Sequence, residues 1–112
     1  NQEAADKIIE QALALQDAGC FSLVLECIPY ALAEKITQAL AIPTIGIGAG
    51  PYTDGQVLVL QDMLGLQPHK PKFLKTFMEG FSMIKDTLDQ YDREVKDSTF
   101  PNLKEHSYEH TA

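Results

Sequence analysis

At 112 residues, with 45% apolar and 22% charged side chains, the chain has the composition of one small globular domain and not of a disordered segment. Nine basic against sixteen acidic residues give a formal charge of −7, which repels nucleic-acid phosphates and anionic lipid surfaces. The longest apolar run, around residues 20–25, is far too short to span a bilayer and no basic-then-apolar stretch opens the chain, so the expectation is a cytoplasmic protein without nucleic-acid or membrane partners.

Over residues 2–18, Ala5, Ile8, Ile9, Ala12, Leu13 and Leu15 recur at three- and four-residue spacing, which predicts an amphipathic helix. Asn1 is placed to cap it, Glu3 and Lys7 to pair on its wet face, and Gly19 to stop it. Phe21-Ser22-Leu23-Val24-Leu25 is almost continuously apolar, as in a strand covered on both faces of a parallel sheet, and Glu26 stands at its carboxyl end. Pro29 suits the first turn of a helix whose stripe runs through Ala31, Leu32, Ile36 and Leu40 and ends near Ala41.

Thr44-Ile45-Gly46-Ile47 reads as the next strand. Four glycines and one proline between Gly46 and Gly55 predict a tight loop, after which Gln56-Val57-Leu58-Val59-Leu60 reads as a third strand. Residues 72–95 carry Phe73, Leu74, Phe77, Phe81, Ile84, Leu88, Tyr91 and Val95 at helical spacing, which predicts two helices, or one interrupted near Gly80, with these side chains packed in a core. From Lys96 onward the pattern is that of an extended tail. The alternation is that of an α/β protein with a parallel sheet, divided into βα units and helices over 1–95 and a tail over 96–112.

Several residues carry possible chemistry. Glu26, at the carboxyl end of a buried strand, lies on the edge where parallel sheets hold their active sites, and a desolvated carboxylate there suits a general base. A strand-end Glu that pairs with a cation or caps the next helix fits the same position. Gly46-Ile47-Gly48-Ala49-Gly50 fits a close-approach turn better than a phosphate cradle, since it matches neither GxGxxG nor GK[ST] and no helix follows promptly. Asp54 and Asp62 read as a turn residue and a cap for a helix from Met63 rather than as metal ligands. Cys20 and Cys27 read as buried free thiols, and His106 and His110 as members of a polar tail rather than a metal site.

Leu25-Glu26-Cys27-Ile28-Pro29, then Ile42-Pro43-Thr44-Ile45-Gly46-Ile47-Gly48-Ala49-Gly50, then Asp54-Gly55-Gln56-Val57-Leu58-Val59, resemble ketopantoate hydroxymethyltransferase. The likeness continues through Asp62-Met63-Leu64-Gly65-Leu66, Pro71-Lys72-Phe73, Phe100-Pro101 and Glu105-His106-Ser107-Tyr108. It implies the carboxy-terminal portion of a (β/α)8 TIM barrel of the phosphoenolpyruvate/pyruvate type, supplying roughly the last three strands, since a closed barrel needs about 250 residues.

The implied reaction joins a one-carbon unit from 5,10-methylenetetrahydrofolate to the keto acid 3-methyl-2-oxobutanoate, giving 2-dehydropantoate in pantothenate synthesis. The resemblance makes Glu26 the base and places Ile47, Val57 and Val59 around the substrate's branched end. It implies magnesium bound by the keto acid, with the metal ligands and a substrate-positioning Lys in an amino-terminal half and none in this chain, and a ring-built homo-oligomer, a decamer, with contacts from the helices after Pro71. Where the family usually has His before Asp62, this chain has Gln61, one titratable group fewer near the barrel rim. Two other readings are a metal-dependent keto-acid lyase of the same barrel group and a non-catalytic assembly module.

Overall fold

Asn1 opens the first helix, α1 (Gln2–Asp17), by accepting the Ala4 N–H on its Oδ1 at 2.8 Å, so one of the orphan amides of the first turn is satisfied. Gly19, at φ 103°, then turns the chain toward the first strand, β1 (Leu23–Glu26). The expected ion pair of Glu3 with Lys7 does not form among the described residues. The second helix, α2 (Tyr30–Ala39), starts directly after Pro29, whose carbonyl accepts the Leu32 and Ala33 N–H groups. This computed structural model describes residues 1–110; the last two residues of the expected tail lie outside them.

The second strand, β2 (Thr44–Ile47), pairs in parallel with β1 on one side and with the short β3 (Gly55–Gln56) on the other. Helices α1 and α2 cover one face of this sheet around Ala12, Leu25, Ala33, Ile36, Leu40 and Ala49. Gln16 ties the two helices at their ends, its Oε1 accepting the Ala41 and Ile42 N–H groups at 2.6 and 3.2 Å. On the same covered face Thr44 is fully buried, and its hydroxyl lies 2.8 Å from that of Thr37. The Asp54 carboxylate accepts the Thr44 N–H at 2.8 Å, pinning the loop before β3 against the core. Asp54 is thus the turn residue expected, with a structural partner.

Side chains alternate across a strand, so the register that places Leu25 among the helices turns Val24 and Glu26 to the other face. That face is uncovered, and Val24 is 60% exposed. The expectation of a strand covered on both faces is therefore corrected: the helices lie on one side only.

Three further expectations are corrected. The third strand is paired only at Gly55–Gln56, not along residues 56–60. Val57 N–H still donates to Gly46 O at 3.0 Å, but β2 ends where Gly48 takes φ 64°, so Leu58 and Val59 have no further rungs to join. Leu60 instead opens a one-turn helix, α3 (Leu60–Met63), with Val59 before it, so Asp62 lies inside that helix and does not cap it. Finally, helix α4 (Gly80–Lys96) is single and begins late. Phe77 and Gly80 donate their amides to Met63 O and Leu64 O, which draws residues 72–79 into turns across the end of α3.

Gly65 and Gly80 make that crossing possible, since a side chain at either would run into the other segment's backbone and Gly65 holds φ 69°. Beyond it α4 leaves the sheet, with Gly80 its only buried residue. The molecule extends 72 × 33 × 17 Å with a radius of gyration of 24.1 Å, against about 13 Å for a compact domain of this length. The apolar stripe expected in a core is accordingly exposed: Phe81, Ile84, Leu88, Tyr91 and Val95 all face outward.

Intrahelical pairs hold α4 locally. Lys85 and Asp89 meet at 2.7 Å, and this hydrogen bond raises the ammonium pKa and lowers that of the carboxyl. After Lys96 the chain folds back rather than extending, with the Phe100 ring 5.9 Å from Tyr91 and 5.0 Å from His106.

Candidate active site at the carboxyl edge of the sheet

Parallel strands present a row of side chains from aligned positions to one face, and the register pairs Glu26 with Ile47 at the carboxyl edge. Val57 follows the Gly46–Gln56 rung and is next to Ile47 in the same row. The uncovered face thus carries, side by side, a carboxylate and two aliphatic side chains. Val59 does not join them: it stands at the start of α3, where its carbonyl accepts the Asp62 and Met63 N–H groups.

Glu26 neither pairs with a cation nor caps α2. Among the described residues its carboxylate has no hydrogen bond or ion pair, and α2 has no side-chain cap. Its side chain is exposed, so the desolvation expected of it is not supplied by residues 1–110.

Two hollows flank the Glu26 row. One, of about 360 Å³, is lined by Ile47, Val57, Leu58, Met63 and Phe77. The other, of about 880 Å³, lies between the β1–α2 turn at Cys27, Pro29 and Tyr30 and the segment Lys72–Phe73. Phe73, Gly48 and Gln56 border both, so the Phe73 ring stands on the ridge between them. The glycine turn lets neighbours come close, since a side chain on Gly50 would strike Tyr30 and one on Gly48 would lie 3.1 Å from the Phe73 ring. Glu26 lines neither hollow, although Ile47, its partner in the row, lines the smaller.

The thiols depart from expectation: Cys20 is half-buried, and Cys27 is exposed with φ 53°, because the chain bends sharply as β1 ends. Tyr30, Lys72 and Phe73 were not singled out as site residues by their sequence positions. Phe73 shares the helical spacing of the later stripe, and only its place on the turn across α3 reveals its role as a wall. Tyr30 carried a usable signal, since it directly follows the proline that starts α2 at the carboxyl edge.

Among the described residues, no three His, Cys, Asp or Glu side chains come together to hold a metal ion. His106 is engaged through Nδ1 with the Asn102 N–H at 3.0 Å, within the folded tail. No helix among the described residues is long and apolar enough to cross a membrane.

Comparison with known proteins matches the sequence to a named family. A chain named 3-methyl-2-oxobutanoate hydroxymethyltransferase from Bdellovibrio bacteriovorus is 61% identical over 106 residues, covering 94% of this chain and 40% of the relative. One of the same name from Coxiella burnetii is 58% identical over the same shares, and one from Francisella tularensis is 53% identical over 97% of this chain and 41% of the relative. The chain thus spans about two fifths of the length of the curated relatives it matches. The family model described as ketopantoate hydroxymethyltransferase matches residues 1–103, from the cap of α1 to beyond the end of α4. With Glu26, Ile47 and the glycine turn all inside that match, the chain belongs to the ketopantoate hydroxymethyltransferase family.

Proposed function

We propose that this chain supplies the proton-abstracting edge of an enzyme that transfers a hydroxymethyl group from 5,10-methylenetetrahydrofolate to 3-methyl-2-oxobutanoate, giving 2-dehydropantoate, in the cytoplasm. The observation that carries the reading is the row Glu26, Ile47, Val57 at the carboxyl edge of a parallel sheet, a carboxylate beside a small, mainly apolar hollow. The branched end of the keto acid packs on Ile47 and Val57, which brings its C3 hydrogen toward Glu26. Glu26 takes that proton, and C3 forms a bond to the methylene carbon of the folate. Both bonds from that carbon to the two folate nitrogens break, water supplies the hydroxyl oxygen, and the nitrogens take up one proton from water and the one that Glu26 removed.

The remaining strands of a (β/α)8 barrel extend this sheet from its free edges and close over the uncovered face, and they bring the magnesium ligands. Covering the face shields Glu26 and the keto acid from bulk water. The chain mixed with a polypeptide spanning the amino-terminal part of a relative should therefore form dehydropantoate only when methylenetetrahydrofolate is present. A carbon–carbon cleavage indifferent to the folate would identify a lyase instead, and no turnover in a stable complex would identify an assembly module.

Copies of the enzyme associate through α4, whose stripe leaves Phe81, Ile84, Leu88, Tyr91 and Val95 exposed. Burial of one leucine is worth about 1.5–3 kcal/mol, so Leu88→Glu should weaken association by more than about tenfold in sedimentation velocity. Unchanged association would remove α4 from the contact.

A further inference from the structure

The two hollows beside Phe73 share Gln56 and an aromatic wall, and each has a lysine, Lys72 in the larger and Lys75 in the smaller; they differ in size, and only the larger has Tyr30 and the Cys27 thiol. We propose that the larger one, on the Tyr30 side of Phe73, seats the flat pterin ring of the one-carbon donor, and that it meets the smaller one, which takes the keto acid, along their shared border at Gly48, Gln56 and Phe73, where the methylene carbon can reach C3. This assignment rests on the hydroxymethyl-transfer reading above.

Ligand pockets span about 300–1,000 Å³. The hollow of about 360 Å³ beside Ile47 and Val57 lies at the low end, suited to a short branched acid. The hollow of about 880 Å³ lies near the high end, suited to a ligand of several rings.

Its walls match a flat, hydrogen-bonding, anionic molecule. Tyr30 is 63% exposed on one side, backed by the Tyr52 ring at 6.3 Å, and Phe73 is 43% exposed on the other, so two aromatic faces are open to stacking. Gln56 Nε2 donates to Gly50 O at 2.9 Å and to Thr53 Oγ1 at 3.0 Å, which fixes the amide. Among the described residues its Oε1 accepts no hydrogen bond, leaving an acceptor for a pterin N–H at the border of the hollow. Lys72 forms no ion pair among the described residues and stands on the rim, where it can meet the carboxylates of a folate tail. On a chain of net charge −7, such a local cation decides where an anion settles.

Cys27 lines this hollow and not the smaller one, which makes its thiol a reporter, while the half-buried Cys20 lines neither and serves as the control. The chain is treated with iodoacetamide and the alkylation of each cysteine is followed by mass spectrometry, with 5-formyltetrahydrofolate or 3-methyl-2-oxobutanoate as the added probe. At a folate concentration about ten times its Kd, mass action gives about tenfold slower alkylation of Cys27. Cys20 should be unaffected, and the keto acid should leave Cys27 unprotected. Tyr30→Ala and, separately, Lys72→Ala should each abolish the protection while leaving the circular dichroism unchanged, since both side chains are exposed.

Protection of Cys27 by the keto acid and not by the folate, or by neither, overturns the assignment, as does protection that survives both substitutions. Exchange of the keto acid's C3 hydrogen in the reconstituted enzyme separates the two levels. If it persists while the folate fails to protect Cys27, only the seat is wrong; if it is absent as well, the hydroxymethyl-transfer reading fails with it.

Discussion

Replacing Glu26 by Gln should slow deuterium exchange at C3 of 3-methyl-2-oxobutanoate by about 10²–10⁴-fold in the reconstituted enzyme, the usual contribution of a positioned general base. Glutamine keeps the length and much of the polarity of the side chain but cannot accept the proton. The fold should be indifferent to the change, because among the described residues the Glu26 carboxylate bonds to nothing and is exposed. An unaltered urea midpoint alongside the lost exchange would therefore locate the effect in chemistry. An unaltered exchange rate would remove Glu26 from the reaction. The keto acid's affinity should stay nearly constant, since its contacts are assigned to Ile47 and Val57.

The second large effect is on stability. Ile36 is fully buried between α2 and the sheet, in a core of few residues. Truncating a buried isoleucine to alanine costs about 2–5 kcal/mol through lost transfer energy and the cavity left behind. Native chains hold about 0.05–0.15 kcal/mol per residue, and here only the part around α1, α2 and the sheet contributes a core. Ile36→Ala should thus remove a large share of the chain's stability, seen as a markedly lower urea midpoint for the helical circular dichroism. Lys35→Ala, at an exposed position on the same helix, should leave it folded. If Ile36→Ala unfolded in urea at an unchanged midpoint, the stability would have to reside elsewhere than in this core.

The elements that the sequence announced well are those whose stabilising contacts are local or lie within the helix-covered layer. The cap at Asn1, the stop at Gly19 and the strand over Thr44–Ile47 all appear where composition and spacing place them. The third strand failed because strand propensity in Val57, Leu58 and Val59 does not reveal that β2 ends at Gly48, leaving no rungs to pair with. The start of α4 failed for a similar reason: helical spacing from Phe73 onward is real, but the amides of Phe77 and Gly80 are claimed by the end of α3. Burial failed where it depends on what lies opposite. A stripe at helical period predicts an apolar face but not what that face meets, and the same holds for Glu26 and Val24 on the uncovered side of the sheet. Of the row at the carboxyl edge, Glu26 is placed by its strand position and Ile47 and Val57 are suggested by resemblance, whereas Phe73 lines the hollows only through the turn that carries it.

The crossing of Gly65 with Gly80 fixes how α4 departs. Three main-chain hydrogen bonds, from Phe77, Gly80 and Phe81 to Met63, Leu64 and Gly65, set its direction before any side chain of its stripe is reached. Aim and adhesion are thereby separable properties. Substitutions along the outer turns can retune what the helix grips without redirecting it, whereas a single methyl group at the crossing would redirect it without touching the grip.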